Sequence, residues 1–239
     1  MSKFIEMWND LANTRNFERG ISDSILNNLL CRYTEPHRKY HNLSHIESML
    51  GEFLQLKPKL EEPDLVLIAL YFHDAIYNTT SKTNEEDSAN LCAEQMTKLG
   101  FRRDEIKKVA DMILATKSDR FSPERNPNLL VDIDRSILGS RLADYQSYAK
   151  GIRDEYLTSG FSTQQYCAGR IDLFLNMQLA KTTIFISPEF AHLDSQARQN
   201  MLWEKQELES ELNALKLCPI LPNAEYRLPI ADYPSPITE

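Results

Sequence analysis

The chain has 239 residues, 42% apolar and 26% charged, enough to bury one sizeable core and too apolar for an intrinsically disordered chain. Its net charge of −8 argues against the basic face that a nucleic-acid coat or an anionic-membrane binder needs. Cysteines at 31, 92, 167 and 218 are too sparse and unpaired for a disulfide scaffold, which predicts reduced thiols in a cytoplasmic protein. MSKFIEMWND has no apolar run after its Lys, so no signal peptide is expected. The most apolar stretch, Leu65 to Phe72, is far shorter than the roughly 20 residues of a membrane span.

The punctuation along the chain is helical. Ser22 to Leu30 places Ile25, Leu26, Leu29 and Leu30 on one stripe, with Pro36 soon after. His45 to Leu56 repeats the pattern with Ile46, Met49, Leu50, Phe53 and Leu54, the spacing of an amphipathic helix. Beyond Pro58 and Pro63, Asp64 can cap the segment LVLIALYFHDAIY, which is apolar all round, as a fully buried helix should be. Asn84 starts a helix whose first turn carries Glu85, Glu86 and Asp87 against the positive helix end, and Gly100 stops it. Arg102 to Lys117 puts Ile106, Val109, Ala110 and Ile113 on one face. After Pro123 and Pro127 comes a short apolar run, Leu129 to Leu138, closed by Gly139. Further helices are expected over Leu142 to Tyr156, Thr163 to Leu179 and Pro188 to Leu215, the last with the Glu/Lys spacing of a solvated face. Nothing alternates with period two for more than a few residues. The expected fold is all-α: one domain over 1–217, then an extended tail over 218–239 that holds five of the eleven prolines.

Five His occur, at 37, 41, 45, 73 and 192. His73 stands beside Asp74 in the most apolar helix, where a carboxylate costs several kcal/mol unless it is paired or metal-bound. A hydrogen-bonded pair closing the core and a ligand pair are both open on that ground. His45 lies far enough upstream for an antiparallel return to bring it opposite His73. Downstream, Asp132 and Asp134 sit inside the apolar run from Leu129. Two imidazoles and two carboxylates make a donor set suited to one divalent ion (Mn, Fe, Mg, Ni, Co or Zn).

The order His45, then His73-Asp74, then Asp134 resembles the H…HD…D signature of the HD-domain metal-dependent phosphohydrolase superfamily, over roughly residues 30–180. Tyr40-His41-Asn42-Leu43-Ser44-His45 is similar to the Y-H-N-x-x-H run of its cyclic-nucleotide phosphodiesterase branch. Asn84-Glu85-Glu86-Asp87-Ser88-Ala89 is similar to an H-E-x-x-S-A helix start, with Asn for His, and Val131-Asp132-Ile133-Asp134-Arg135 to a D-A-D-R/L run whose second Asp is a ligand. Together these runs look most like a bacterial group of predicted HD phosphohydrolases of unassigned substrate. The resemblance implies an HD-type helical bundle with His45, His73, Asp74 and Asp134 as metal ligands. It also implies Asp74 as acceptor of the attacking water's proton and His41 as proton donor to the leaving oxygen. Asp132 is the alternative to Asp134, and otherwise an orienting or capping residue. His41 and His45 are spaced as zincin ligands, but Asn42 stands where that motif needs Glu.

Tyr77 stands where the phosphodiesterase branch has a further His, and no His lies between Asp74 and Asp134, which favours one metal over two. The base pocket of cyclic-nucleotide enzymes is not identifiable. The implied substrate is a nucleotide or other small phosphorylated metabolite, with no nucleic-acid polymer and no membrane as partner, and a homodimer is conceivable. In an acidic protein, charge for phosphate must be local. Lys117, Arg153 and Arg170 are candidate phosphate ligands, and each has a competing role as helix-end cation or inter-helix bridge. Glu85 could orient water or substrate, or only support its helix start. His37 and His192 are expected at the surface. A non-catalytic module that keeps the metal cage to bind or sense a nucleotide is the alternative function.

Overall fold

The computed structural model describes residues 2–117 and 121–217; the tail expected from Cys218 lies outside the described residues. Every regular element among the described residues is helical, which agrees with the periodicity. Cys92 and Cys167 are buried free thiols and Cys31 is an exposed one. No helix of the described residues is long and apolar enough to cross a membrane.

Helix α1 (Lys3–Arg15) lies where the periodicity argument places no element. Ser2 caps it, accepting from the Ile5 amide at 3.5 Å, and Phe4, Met7, Trp8 and Leu11 form its buried face. Polar neighbours in a short segment hide that stripe, but its aromatic residues anchor it. The Trp8 indole donates to Ser22 Oγ at 3.0 Å on α2 (Arg19–Tyr33). The Tyr71 hydroxyl donates to the Phe4 carbonyl at 2.6 Å, and the Tyr71 ring meets Phe4 and Trp8 edge-on.

At the centre lies α4 (Pro63–Phe72), with Leu65 to Phe72 all buried. It packs against α3 (Leu43–Leu56), α5 (Asn84–Lys98), α6 (Arg103–Ala115) and α7 (Arg125–Arg135). The apolar segment predicts a helix running through Tyr77, but α4 stops at Phe72, with His73 as its C-cap. The cause is Arg38, only 4% exposed, whose guanidinium donates to the carbonyls of Asp74 at 2.7 Å and Ala75 at 3.1 Å. Those carbonyls, which a continuing helix would use internally, are satisfied from outside, so the chain can turn away.

Helix α7 begins and ends earlier than the expected run to Leu138, which finishes as a 3₁₀ turn, Ser136–Gly139. Helix α8 (Leu142–Thr158) follows. The expected helix to Leu179 is divided into α9 (Thr163–Arg170), a π turn (Ile171–Leu175) and α10 (Asn176–Leu179). A 3₁₀ turn (Pro188–Leu193) leads into α11 (Asp194–Leu217), which packs on α8 and α9. The buried apolar cluster extends from Phe4 on α1 to Leu208 on α11.

Candidate metal centre

Three segments meet at the C-terminal end of α4. His45 occupies the first turn of α3, whose N-cap Asn42 accepts from the Ser44 amide at 2.9 Å. His73 and Asp74 lie where α4 gives way to a turn, and Asp134 is near the end of α7. One donor atom from each of these four residues lies within 4.8 Å of every other. The His45 and His73 side chains are 2% and 1% exposed, those of Asp74 and Asp134 18% and 24%, so the cluster opens to solvent on its carboxylate side.

Its chemistry follows from one hydrogen bond. A carbonyl can only accept, so His73 Nδ1, 2.9 Å from the Leu70 carbonyl, carries a proton. In the neutral ring Nε2 is then a lone pair. That lone pair faces Asp74 Oδ2 at 3.1 Å and Asp134 Oδ1 at 3.5 Å, while His45 Nε2 faces Asp134 Oδ1 at 3.1 Å and Asp74 Oδ2 at 3.8 Å. Both Nε2 atoms are buried and lack a hydrogen-bond partner. The His73 lone pair and the two carboxylates facing it repel unless positive charge sits among them, as a proton or a cation. Without a cation the competition falls on the proton. Burial pulls His73 down, but Asp74 and Asp134 outweigh it and hold the ring well above its usual value. Burial pushes both carboxyls up, and the imidazoles outweigh it and bring them well below the carboxylate range. An N2O2 set with two buried imidazole nitrogens that lack a hydrogen-bond partner and an open face fits a divalent ion.

Asp132 does not join the set. Two residues from Asp134 on a helix, it points to another face, is fully buried, and accepts from the amides of Ile186 (2.9 and 3.1 Å) and Ser187 (2.5 Å). It is a capping residue for that loop, and Asp134 is the one placed with the imidazoles.

His41 lies beside the cluster, its ring centroid 5.9 Å from that of His45 and 4.2 Å from that of Tyr77. Its Nδ1 donates to Glu155 Oε2 at 2.8 Å, and Nε2 has no hydrogen bond among the described residues. Burial lowers the His41 pKa, but Asp74 and Glu155 outweigh it and raise the ring above its usual value. Glu155, on α8 and 1% exposed, also accepts at Oε1 from the amides of Lys39 (2.8 Å), Tyr40 (2.7 Å) and His41 (2.9 Å), and at Oε2 from the Tyr77 hydroxyl (2.8 Å). Burial alone would raise its carboxyl; the bonds from His41 and the amides outweigh it and bring the pKa to about 2.

Arg38 grips the same region from below, donating to the His41 carbonyl at 3.1 Å as well as to the turn after α4, and touches the Asp74 backbone rather than its carboxylate. Buried Ser88 accepts from the Ile76 amide at 3.0 Å, and Asn84 brackets Asn78 with bonds to its amide (3.0 Å) and carbonyl (2.9 Å). Residues 74–78 are thus held from three sides. Arg38 and Glu155 are not among the site residues expected from the sequence. A readable signal existed for Glu155, which continues the buried stripe Tyr148, Ile152 on α8.

The expected phosphate ligands are differently placed. Lys117 donates to Glu86 Oε1 and Oε2 at 2.6 and 2.7 Å and to the Lys82 carbonyl at 2.6 Å, with Glu85 3.7 Å away. Burial pushes Glu85 up, and Lys117 pulls the other way. Arg153 forks onto Glu211 at 2.7 and 2.6 Å. Arg170 donates to Glu204 and to the Tyr148 hydroxyl, both at 2.9 Å, at the start of the π turn. Both arginines therefore serve as bridges to α11. His192 is exposed as expected, but His37 is half-buried, 3.2 Å from the Tyr77 carbonyl. Among known proteins, no family model and no curated sequence matches this chain.

Proposed function

We propose that the protein is a metal-dependent phosphohydrolase that cleaves a phosphoester or phosphoanhydride of a nucleotide or other small phosphorylated metabolite. The observation that carries this reading is the pair of buried, partnerless Nε2 atoms of His45 and His73, facing the carboxylates of Asp74 and Asp134 on the side open to solvent. These four residues would hold one divalent ion, which when bound supplies Lewis acidity for the phosphoryl oxygens and lowers the pKa of water. Asp74, one of the two partly exposed carboxylates of the set, accepts the proton of the attacking water. His41, aimed by Glu155 with Nε2 free, donates a proton to the leaving oxygen. The resemblance of the H…HD…D order to a known superfamily supports the same reading.

The test is elemental analysis of the purified protein, followed by phosphate-release assays on nucleotide mono-, di- and triphosphates and generic phosphodiesters with Mn2+, Fe2+, Ni2+, Co2+, Mg2+ and Zn2+. Metal-dependent turnover that His73→Ala abolishes is expected. Thermal stabilisation by a nucleotide with no product formed would point to the binding module instead. No metal-dependent turnover on any substrate, wild type and variant behaving alike, overturns the hydrolase.

A further inference from the structure

We propose that Tyr148 is a specificity-determining residue beside the metal centre: Arg170 turns its hydroxyl hydrogen to the side of Asp134, where it donates to an oxygen of the phosphorylated substrate. The proposal rests on the hydrolase reading and deepens it.

Arg170 and Glu204 form an ion pair shut inside the protein, their side chains 8% and 4% exposed. Arg170 Nε donates to Glu204 Oε1 at 2.9 Å, and Nη2 reaches both Glu204 Oε2 at 3.2 Å and the Tyr148 hydroxyl oxygen at 2.9 Å. Two aromatic rings hold the guanidinium, whose carbon lies 4.0 Å from the Phe174 centroid and 5.3 Å from that of Tyr148. Phe174 stands in the π turn Ile171–Leu175, an irregularity that is frequent at functional sites. Separating a buried pair leaves an uncompensated charge, so the guanidinium is fixed against the phenol.

What the arginine does to Tyr148 follows from its chemistry. A guanidinium has donors only, so the phenol oxygen accepts from Arg170 and must place its own hydrogen elsewhere. Among the described residues the Tyr148 hydroxyl makes no other hydrogen bond, although Tyr148 is only 7% exposed. Glu204, the nearest candidate acceptor, is engaged by Arg170 and by the Tyr145 hydroxyl instead. A buried donor without an acceptor is costly, and a bound group that accepts from it removes that cost.

The guanidinium lies on the α9–α11 side of the phenol oxygen, which leaves the opposite side for the hydrogen. That side leads to the metal centre. The Tyr148 ring meets Tyr40 edge-on, centroids 4.7 Å apart, and the Tyr40 ring lies 4.8 Å from that of His45. Burial raises the Tyr148 hydroxyl, Arg170 pulls it down, and the charge of Asp134 reaches it as well. Asp134 is the more exposed of the two carboxylates, so a substrate arriving there comes within reach of the phenol. A cation behind the oxygen strengthens the O–H as a donor. The best acceptor is then an anionic phosphoryl oxygen, and a hydroxyl or carbonyl oxygen of the substrate's organic part is the other source.

The experiment compares wild type and Tyr148→Phe, each loaded with one equivalent of Mn2+. The substitution keeps the ring and removes only the hydroxyl. Two measurements are made: kcat and KM on the phosphate-release panel, and the affinity for inorganic phosphate by calorimetry. The variant should raise KM by about 10-fold, the scale of one hydrogen bond to a charged acceptor, and change kcat by less than about twofold. A parallel fall in phosphate affinity assigns the acceptor to the phosphoryl group, and a rise in KM alone assigns it to the organic part. Mn2+ affinity, measured beside them, should not change. Unchanged KM and unchanged phosphate affinity overturn the proposal, since ordered water would then be what takes the hydrogen. A loss of kcat or of Mn2+ affinity without a rise in KM shows a packing role only, and overturns it too. If wild type cleaves none of the substrates, the hydrolase reading falls and the phosphate titration decides alone. Weaker binding by the variant then upholds the phenol, and equal or absent binding overturns it.

Discussion

Replacing Asp132 and Asp134 one at a time should give crossed signatures, although the two stand only two residues apart. Asp132 is fully buried and holds the amides of Ile186 and Ser187. In Asp132→Ala both donors lose their partner, and an orphaned buried donor costs about 1–3 kcal/mol, so a loss of about 3 kcal/mol, within the range of about 2–6 kcal/mol for the pair, is expected. For a chain of this size each kcal/mol shifts Tm by about 2–4 °C, which gives a fall of roughly 6–12 °C in the metal-free protein. The extra stability conferred by metal should survive, since Asp132 is not among the four converging donors. Asp134→Asn instead removes the charge of one of the four residues that could hold the metal. The metal-dependent increment, about 2.7 kcal/mol for a ligand at 100-fold its Kd in the intact site, should vanish. Thermal unfolding of wild type and both variants, with and without Mn2+, measures all four quantities together. An Asp132→Ala protein that keeps its metal-free Tm and loses the Mn2+ increment would refute the assignment of the two carboxylates.

The metal-free protein should lose stability as pH rises. Neighbouring carboxylates raise His41 and His73, so their contribution is fully present below the unfolded value of about 6.5 and disappears as pH climbs through the folded values. Urea denaturation at pH 6 and pH 9 checks this, and equal or greater stability at pH 9 contradicts it. Metal and proton compete for the same imidazoles, so Mn2+ affinity should rise over that interval with proton release visible by calorimetry. Arg38→Lys cannot span both the Asp74 and Ala75 carbonyls and should weaken metal binding by about 10–100-fold, the range for residues that orient ligands; unchanged affinity argues against that role. Arg170→Ala strands buried Glu204 and should cost about 3–5 kcal/mol, whereas Arg153→Ala, whose pair with Glu211 is about one-third exposed, should cost under about 1 kcal/mol. Equal losses in denaturant titrations would show that burial does not separate the two pairs.

The sequence by itself determined the helical class, because apolar spacing records which stripe of each segment meets a core, and it supplied the order of the four residues that could hold a metal. It also supplied Asn84 and Ser88 as parts of a motif, though not their task of holding Ile76 and Asn78. Tertiary structure decided what depended on neighbours distant in the chain. The periodicity of the apolar segment runs on to Tyr77, yet α4 ends at Phe72 because a guanidinium 36 residues upstream takes the Asp74 carbonyl. Helical phase separates Asp132 from Asp134, but only the loop at Ile186 on one side and the imidazoles on the other show which faces which. Glu155 meets the His41 ring across 114 residues, and Arg153, Arg170 and Lys117 are committed to carboxylates on other helices or turns. Local spacing encodes which face is buried; the partner a buried charge finds there is set by how the helices come together.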